Sequence, residues 1–344
     1  MRRDLLMLPR FIAIATFGVL AAVSASSQAT TYPLTLENCG REVTFDAAPQ
    51  RDVTVGQAAT EILYALGFAD RVVGTSVWFN PVLDEFEAVN EGIERLADND
   101  PSFESVVAKR PDLVAIQYEW HVGPEGIVGT RDMFHDLGVA TYVLPTDCVN
   151  KDNSVGVDGT RSAMFDTDAL YRGIRELARV HDAPKAGEKL VDELRARETA
   201  AIEKSRSLDL GDVSAVFWFS SAEMDVDPYV AGRKGVPAYM MEQLGIRNVI
   251  ESDEEWPTVG WETIAQANPD LIVIAEMDRR RFPADDVEKK LEFLRTDPVA
   301  SQLDAVKHDR IVVMDAHAMD PSIRNVGALE RLADELETLD LSDG

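Results

Sequence analysis

Aromatic, arginine and histidine side chains follow several strand-like segments of this 344-residue chain. In α/β proteins, ligands bind outside the carboxyl ends of strands, so these positions are the first candidates for a binding site. Arginine pairs bidentately with carboxylates and stacks on aromatic rings, which favours a large anionic ligand with planar or conjugated groups. The predicted ligand-binding residues are Gln57, Trp78, Tyr118, Trp120, His121, Asp225, Tyr229, Arg279, Arg280, Arg281 and His317.

His121 and His317 are the two candidates for direct contact with a metal. A single histidine is more often an ordinary hydrogen-bonding residue, and the sequence supplies no set of three or four ligands with metal-site spacing. We therefore predict no metal site made by the protein alone and no bound cofactor. The run Arg279–Arg281 has an alternative interpretation as a solvated turn that balances nearby acids. Arg233 and Arg324 are less favoured ligand contacts.

Enzyme motifs do not accompany these residues. The sequence contains neither the Gly-x-Ser-x-Gly turn of an α/β hydrolase nor a Gly-rich phosphate loop. The net charge of −27 argues against nucleic-acid binding, which needs a basic surface. We predict that the chain is not an enzyme. An exported enzyme on a similar scaffold, a binder of free metal ions and a receptor domain without a transport role are the alternatives.

The elements that position these residues alternate between strand and helix. In the first half, strands are predicted at 52–55, 71–74, 112–116 and 140–144, with helices at 58–66, 103–109 and 127–137. In the second half, strands are predicted at 213–219, 248–250, 271–275 and 310–314, with helices at 236–244, 261–267, 287–294 and 325–337. Alternating strands and helices with wholly apolar strands indicate parallel sheets covered by helices.

The chain between these halves is helical. Residues 168–205 carry helix formers with apolar spacing, and their single proline, Pro184, is tolerated at a helix start. We predict two helices, the second about 20 residues and about 30 Å long, which is enough to bridge two lobes. The predicted fold is α/β, with two Rossmann-like lobes joined by a single long backbone helix and a ligand cleft between them. The predicted divisions are an N-terminal lobe at 30–165, a helical linker at 166–206 and a C-terminal lobe at 207–344.

Two segments repeat each other on either side of the long helix. They are 103–114, FESVVAKRPDLV, and 261–272, WETIAQANPDLI. Each contains an aromatic residue, a glutamate, a short amphipathic helix, Pro-Asp and a buried strand. Proline ends the helix and aspartate opens the turn into the strand. A duplicated unit predicts two similar lobes.

The order of these features resembles the substrate-binding proteins of ABC importers for iron-siderophores, haem and cobalamin, over nearly the whole chain. Further matching segments are Asn38-Cys39-Gly40, Ala48-Pro49-Gln50-Arg51, 59–67 and 305–313. The resemblance implies a monomeric periplasmic protein with a rigid backbone helix. It implies capture of a metal chelate, a ferric siderophore before others, and delivery to the importer's membrane subunits. Cobalamin, haem or a free metal ion are the alternative cargoes.

Glu104 and Glu262 occupy equivalent positions in the two repeated segments. In the family that this chain resembles, one surface glutamate on each lobe pairs with arginines of the importer, and these two residues match that position. A carboxylate near a helix start is also favoured by the helix dipole alone. Their symmetric placement favours the docking role.

Residues 1–29 have the features of a cleaved signal peptide. Arg2, Arg3 and Arg10 precede a short apolar run at 11–23, and small residues lead to Ala29. The run is short for a membrane span, and no cysteine at the junction offers a lipid anchor. We therefore predict export to a Gram-negative periplasm.

Two cysteines, Cys39 and Cys148, are present in the chain. In an exported protein such a pair predicts a disulfide, with a two-cysteine metal site as the alternative.

Overall fold

A computed structural model describes residues 29–155, 159–208 and 211–339 of the chain. The predicted signal peptide falls almost entirely outside the described residues and stays a prediction. Within those three ranges, no helix combines the length and the apolar character that a membrane crossing requires.

The N-terminal lobe is built on a five-stranded parallel sheet with strand order β5-β4-β3-β6-β7. Strands β3 and β6 are buried along their whole length because helices cover both faces of the sheet. The elements of this lobe are β1 (Leu34–Asn38), β2 (Arg41–Phe45), β3 (Asp52–Val55), α1 (Gln57–Ala65), β4 (Val72–Ser76), α2 (Glu87–Asn90), β5 (Arg95–Ala97), α3 (Phe103–Val107), β6 (Leu113–Ile116), α4 (Arg131–Asp136), β7 (Ala140–Val143), β8 (Lys151–Asp152) and β9 (Thr160–Arg161).

Strands β1 and β2 form a hairpin, closed by a two-residue turn at Cys39-Gly40. Both turn residues have positive φ, as tight hairpin turns require. Cys39 is bonded to Cys148 with a Cα–Cα distance of 5.5 Å, so the predicted disulfide is confirmed. The bond attaches the hairpin to the loop that follows β7.

The helix predicted at 127–137 begins later, at Arg131. Glycines interrupt the preceding segment, and Gly129 has a φ of 149°, which is outside helical conformation. The Thr130 side chain accepts a hydrogen bond from the Met133 N–H at 3.3 Å and caps the helix. The ligand-candidate residues 119–121 therefore lie in a separate 3₁₀ turn before α4.

The C-terminal lobe contains a second sheet, in which β10, β13 and β14 run parallel and β14 is an edge strand. Strand β11 pairs antiparallel with β10, and β12 pairs parallel with it. The elements of this lobe are β10 (Ser214–Ser220), β11 (Tyr229–Val230), α7 (Val236–Leu244), β12 (Arg247–Asn248), α8 (Trp261–Ala267), β13 (Leu271–Glu276), α9 (Val287–Thr296), α10 (Asp304–Lys307), β14 (Ile311–Asp315) and α11 (Arg324–Thr338).

Two helices connect the lobes, α5 (Thr167–Val180) and α6 (Pro184–Ser207). Helix α6 has 24 residues and is about 36 Å long at 1.5 Å per residue. Its buried Glu198 accepts hydrogen bonds from Tyr171 of α5 and Tyr239 of α7. The long helix is therefore bonded to both sides, and the predicted two-lobed α/β fold is confirmed.

The repeated segments have the same structural role in each lobe. The Asp112 Oδ2 atom accepts the Gln50 and Arg51 N–H groups at 2.9 and 3.1 Å, just before β3. The Asp270 Oδ2 atom accepts the Ser214 N–H at 2.9 Å, at the start of β10. Each Pro-Asp thus links its own strand to the neighbouring strand of the sheet.

Candidate functional site

The two lobes meet at the carboxyl ends of their central strands. The segment 78–81, which follows β4, reaches the C-terminal lobe and bonds to the chain after β13. The Phe79 carbonyl oxygen accepts the Asp278 and Arg279 N–H groups at 3.1 and 3.0 Å. The Asn80 side-chain amide donates to the Glu276 carbonyl at 3.0 Å and accepts the Asp278 N–H at 2.8 Å. This crevice is the candidate site.

Gln57, a predicted ligand contact, is fully buried at the start of α1. Its Oε1 atom accepts the Phe79 and Asn80 N–H groups at 3.0 and 3.3 Å, and its Nε2 atom donates to the Pro81 carbonyl at 3.3 Å. Gln57 therefore fixes the segment that reaches the other lobe. Its polar groups are already used within the N-terminal lobe.

Trp78 lies in the core of the N-terminal lobe rather than at its surface. Its indole N–H donates to Thr75 Oγ1 at 3.2 Å, and the Arg95 guanidinium lies 4.8 Å from its ring centroid. Its neighbour Phe79 is the aromatic residue that faces the other lobe.

Tyr118, Trp120 and His121 form one aromatic cluster after β6. The Trp120 and His121 rings stack with centroids 3.9 Å apart, and the Tyr118 and Trp120 rings are 6.1 Å apart. Trp120 remains 40% exposed, whereas His121 is fully buried. Trp120 thus offers an aromatic face at the surface of this lobe.

Both ring nitrogens of His121 have partners. Nδ1 lies 3.2 Å from the Tyr118 carbonyl oxygen and Nε2 lies 3.2 Å from the Asp100 Oδ1 atom. The hydrogen bond from His121 holds the pKa of Asp100 below its ordinary value, and the positive charges of Arg281 and Arg279 contribute. These two arginines belong to the other lobe, so the charges of both lobes meet in this crevice.

Tyr118 crosses the crevice through its hydroxyl group, which donates to Asp320 Oδ2 at 3.0 Å. Burial raises the pKa of Tyr118 well above 10, and the neighbouring Asp320 carboxylate adds to this shift. Tyr118 therefore stays a neutral hydrogen-bond donor at physiological pH.

The three predicted arginines follow β13 and have different environments. The Arg279 guanidinium lies 4.0 Å from the Phe79 ring centroid, while its buried Nε atom has no hydrogen-bond partner among the described residues. Arg280 and Arg281 are exposed. The Asp285 carboxylate accepts the Arg281 and Phe282 N–H groups at 2.7 and 2.8 Å, which fixes the turn of the segment.

Lys290 of α9 forms hydrogen bonds at the end of β13, next to the same segment. Its Nζ atom donates to the Phe219 and Ala275 carbonyls, near the carboxyl ends of β10 and β13. Burial lowers the pKa of Lys290 to about 7. The sequence pattern of an amphipathic helix gives no sign of this buried lysine.

His317 is fully buried in a 3₁₀ turn after β14. Its ring stacks on Phe79 with centroids 5.3 Å apart, and neither ring nitrogen has a partner within the described ranges. Burial lowers the pKa of His317 to about 3, assisted by the positive charges of Arg324 and Arg279. The imidazole is therefore neutral at physiological pH.

The remaining candidates are more peripheral. Asp225 is exposed in the loop after β10. Tyr229 is half-buried in β11, with its ring 6.4 Å from the Phe282 ring. Arg233 is taken up by an exposed ion pair with Asp253 at 2.6 Å.

Arg324, a less favoured candidate, is the centre of a buried ion-pair network between the lobes. Its guanidinium pairs through two nitrogens with Glu61 of α1, with a distance of 2.9 Å from Nε to Oε2. It also bonds to Asp315 and to the Pro81 carbonyl oxygen. The sequence offered no signal for this role, because the partners are up to 263 residues apart.

Three groups of the crevice were absent from the sequence-based set of ligand contacts: Asn80, Asp100 and Asp320. Phe79 was a candidate together with Trp78 because both follow the second predicted strand. Asn80 and Asp320 follow no pattern that distinguishes them from other loop residues. Phe79 stands beside Trp78, and only the direction of each side chain separates the two.

In the described part of the chain, neither a metal-binding cluster nor the groove on the linker helices competes with the crevice. The described residues contain no group of three or more His, Cys, Asp or Glu that could hold a metal ion. A groove of about 520 Å³ lies on the linker helices, away from the crevice, between α5 and the start of α6. Its arginines Arg172 and Arg175 already pair with Glu176 and Glu188, so we assign no ligand to it.

Glu104 and Glu262 lie in the first turns of α3 and α8, and both are exposed. Neither carboxylate forms a salt bridge to another residue that the structure describes. They remain open to a partner at equivalent positions of the two lobes.

Residues 53–318 match the family model for periplasmic binding proteins. An uncharacterized ABC transporter substrate-binding lipoprotein of Bacillus subtilis is 24% identical over 314 residues, covering 91% of this chain and 88% of that protein. These comparisons concern transport proteins rather than enzymes.

Solved structures share the fold. A structure titled as an ABC-type Fe³⁺-hydroxamate transport system, from Saccharomonospora viridis, has 26% identity and a TM-score of 0.71, covering 89% of this chain and 99% of that one. A periplasmic haem-binding protein of Roseiflexus has 21% identity and a TM-score of 0.65, covering 84% of this chain and 98% of that one. The match spans both lobes, the linker helix and the crevice between them, and the chain belongs to the periplasmic binding protein family.

Proposed function

We propose that this protein captures a metal chelate, a ferric siderophore before others, and delivers it to an ABC importer outside the cytoplasm. The observation that carries the proposal is the crevice of a binding-protein fold in which Arg279 and Arg281 of one lobe lie near Tyr118 and Asp100 of the other. Cations beside aromatic faces suit an anionic, conjugated chelate. The similarity to a ferric-hydroxamate transport structure supports the same class of ligand.

Haem is the second candidate ligand. A haem-binding protein shares the fold, and haem combines a planar conjugated ring with carboxylates that arginines bind well. Isolation of the protein from its native host, followed by mass spectrometry and metal analysis, separates the candidates. A ferric siderophore is the expected result. Recovery of haem would favour the second candidate, and a ligand without a metal would overturn the chelate proposal.

The delivery step is proposed to use Glu104 and Glu262 as docking residues. Exposed carboxylates on both lobes can form charge-assisted hydrogen bonds with arginines of a membrane subunit. The double variant Glu104→Ala/Glu262→Ala should retain ligand affinity and lose stimulation of ATP hydrolysis by the reconstituted importer. Glu87→Ala/Glu288→Ala is the matched control, since both residues are exposed glutamates in the first turn of a helix. Equal stimulation by both double variants would refute the docking role.

A further inference from the structure

Arg279 and His317 hold unused hydrogen-bonding capacity in the crevice. The Arg279 Nε atom and both His317 ring nitrogens are buried without a hydrogen-bond partner in the described part of the chain. Buried polar groups of proteins are nearly always paired, and each one left unpaired costs free energy. Three such atoms in two neighbouring residues indicate a site built for a partner.

Phe79 covers this pair of residues. Its ring contacts both the Arg279 guanidinium, at 4.0 Å from the centroid, and the His317 ring, at 5.3 Å. A cation over an aromatic face is attracted to it, which compensates part of the missing hydrogen bonds. The contact is weaker than a charge-assisted hydrogen bond between arginine and an oxyanion.

Phe79 belongs to the opposite lobe, and its backbone is held by Gln57 and by a hydrogen bond from the Arg279 N–H to the Phe79 carbonyl, not by the contacts of its ring. Gln57 accepts the Phe79 N–H at 3.0 Å, and Asn80 bonds the chain on the far side of the crevice. The Phe79 ring therefore reaches Arg279 and His317 only while the lobes are in contact. Its side chain can withdraw without loss of any hydrogen bond of its own.

We propose that Phe79 is an intramolecular plug over an oxyanion subsite formed by Arg279 and His317, and that a ligand displaces it with a carboxylate or a comparable oxyanion. The inference rests on the proposed function only in treating the crevice as the ligand site. Arginine supplies the charge, and the neutral His317 ring supplies one N–H donor. The plug keeps the subsite dry and selects ligands whose anionic group binds more strongly than a phenyl ring.

The test replaces Phe79 and measures the binding of small molecules that contain a similar phenyl ring. In Phe79→Ala, benzoate should bind at least about tenfold more tightly than its neutral isostere benzamide, because only benzoate satisfies a cationic donor. Wild-type protein should bind neither, and the preference should disappear in Phe79→Ala/Arg279→Met. Phe282→Ala is the matched control, since Phe282 also lies against an arginine, Arg281 at 5.5 Å, but covers no unpaired histidine. Isothermal titration measures all four proteins.

Equal affinity for benzoate and benzamide, or binding of neither by folded Phe79→Ala, would overturn the plug. If Phe79→Ala does not fold, Phe79→Leu serves instead, with acetate expected to shift the Arg279 Nε resonance and acetamide not. An unshifted resonance would overturn the proposal equally. The probes require no chelate and no importer, so failure here leaves the proposed function standing. Recovery of a ligand without a metal would instead refute the chelate and leave the subsite intact.

Discussion

Each half of the crevice contains a buried histidine, and the two histidines differ in their hydrogen-bond partners. His121 of the N-terminal lobe and His317 of the C-terminal lobe are both fully buried, and each lies in a 3₁₀ turn that follows a parallel strand. The ring nitrogens of His121 lie within hydrogen-bonding distance of the Tyr118 carbonyl and the Asp100 carboxylate, whereas neither ring nitrogen of His317 has a partner among the described residues. The histidine of the N-terminal half is therefore paired within the protein, while the histidine of the C-terminal half has hydrogen-bonding capacity that a ligand can use.

A buried residue with complete bonding and one without it should respond oppositely to substitution. Loss of a residue that bonds to others leaves them unsatisfied, while loss of an unpaired residue removes a cost.

The largest effect is expected at the fully paired ion network. Arg324→Met removes the partner of buried Glu61 and should lower the free energy of unfolding by about 4 kcal/mol, because an uncompensated charge remains. Urea unfolding followed by circular dichroism measures it. Arg233→Met, which breaks an exposed pair, is the control and should cost less than about 1 kcal/mol. Similar losses in both variants would contradict the assigned role of the network.

The disulfide stabilises the N-terminal half of the crevice. Cys148 follows Asp147, whose carboxylate accepts the Glu119 N–H at 2.5 Å and so holds the turn of His121. Cys39→Ser/Cys148→Ser opens a 109-residue loop and should lower stability by about 3 kcal/mol. Hydrogen exchange should accelerate at residues 119–122 more than at 316–319. Equal acceleration in both turns would show that the bond does not act on this half specifically.

Acid should destabilise the wild-type protein more than a variant that lacks His317. Its folded pKa of about 3 lies below the ordinary value of about 6.5, so between these values only the unfolded chain binds the proton and stability falls as pH falls. His317→Phe lacks this proton uptake and should lose about 2 kcal/mol less than wild type between pH 6.5 and 4.5. Urea titrations at both pH values measure the difference. The exposed His308→Phe is the control, and a pH dependence of His317→Phe equal to that of wild type would contradict the buried neutral histidine.

The smallest effect is the most direct comparison of the two halves. At pH 7, His121→Phe removes the hydrogen bond that the His121 ring donates to an oxygen of Tyr118 or Asp100, and it should cost about 1 kcal/mol. His317→Phe loses none to the described residues, so its stability should equal or exceed that of wild type. Thermal unfolding of both variants at one protein concentration tests this. A reversed order would remove the distinction between the halves.

Most of the fold could be predicted from the chain. Alternating apolar segments and the repeated Glu-helix-Pro-Asp unit indicate two similar lobes, and helices α7 and α8 have the predicted bounds. The short strands β5, β8, β9 and β11 escaped prediction because they have two or three residues and no apolar pattern. Their pairing depends on neighbours rather than on local sequence.

The candidate site could be predicted only as a set of loops. The rule that ligands bind beyond strand ends selects Tyr118, Arg279 and His317, which the structure brings to one crevice. The same rule selects Gln57, whose side-chain amide is already hydrogen-bonded within its own lobe. It also cannot choose between Trp78 and Phe79. A single residue's shift in register decides which of two neighbours faces the core.

The two-lobed architecture and the pair of exposed glutamates follow from the order of residues alone, because periodicity and repetition can be recognised without knowledge of the fold. Only the tertiary structure decided how Arg324 reaches Glu61, how Phe79 covers Arg279, and why His317 lacks the partners that His121 has. These outcomes depend on contacts between residues about 200 or more positions apart, and on the hydrogen bonds that each buried group finds there. The role of each arginine therefore depends on the residues that contact it in the folded chain.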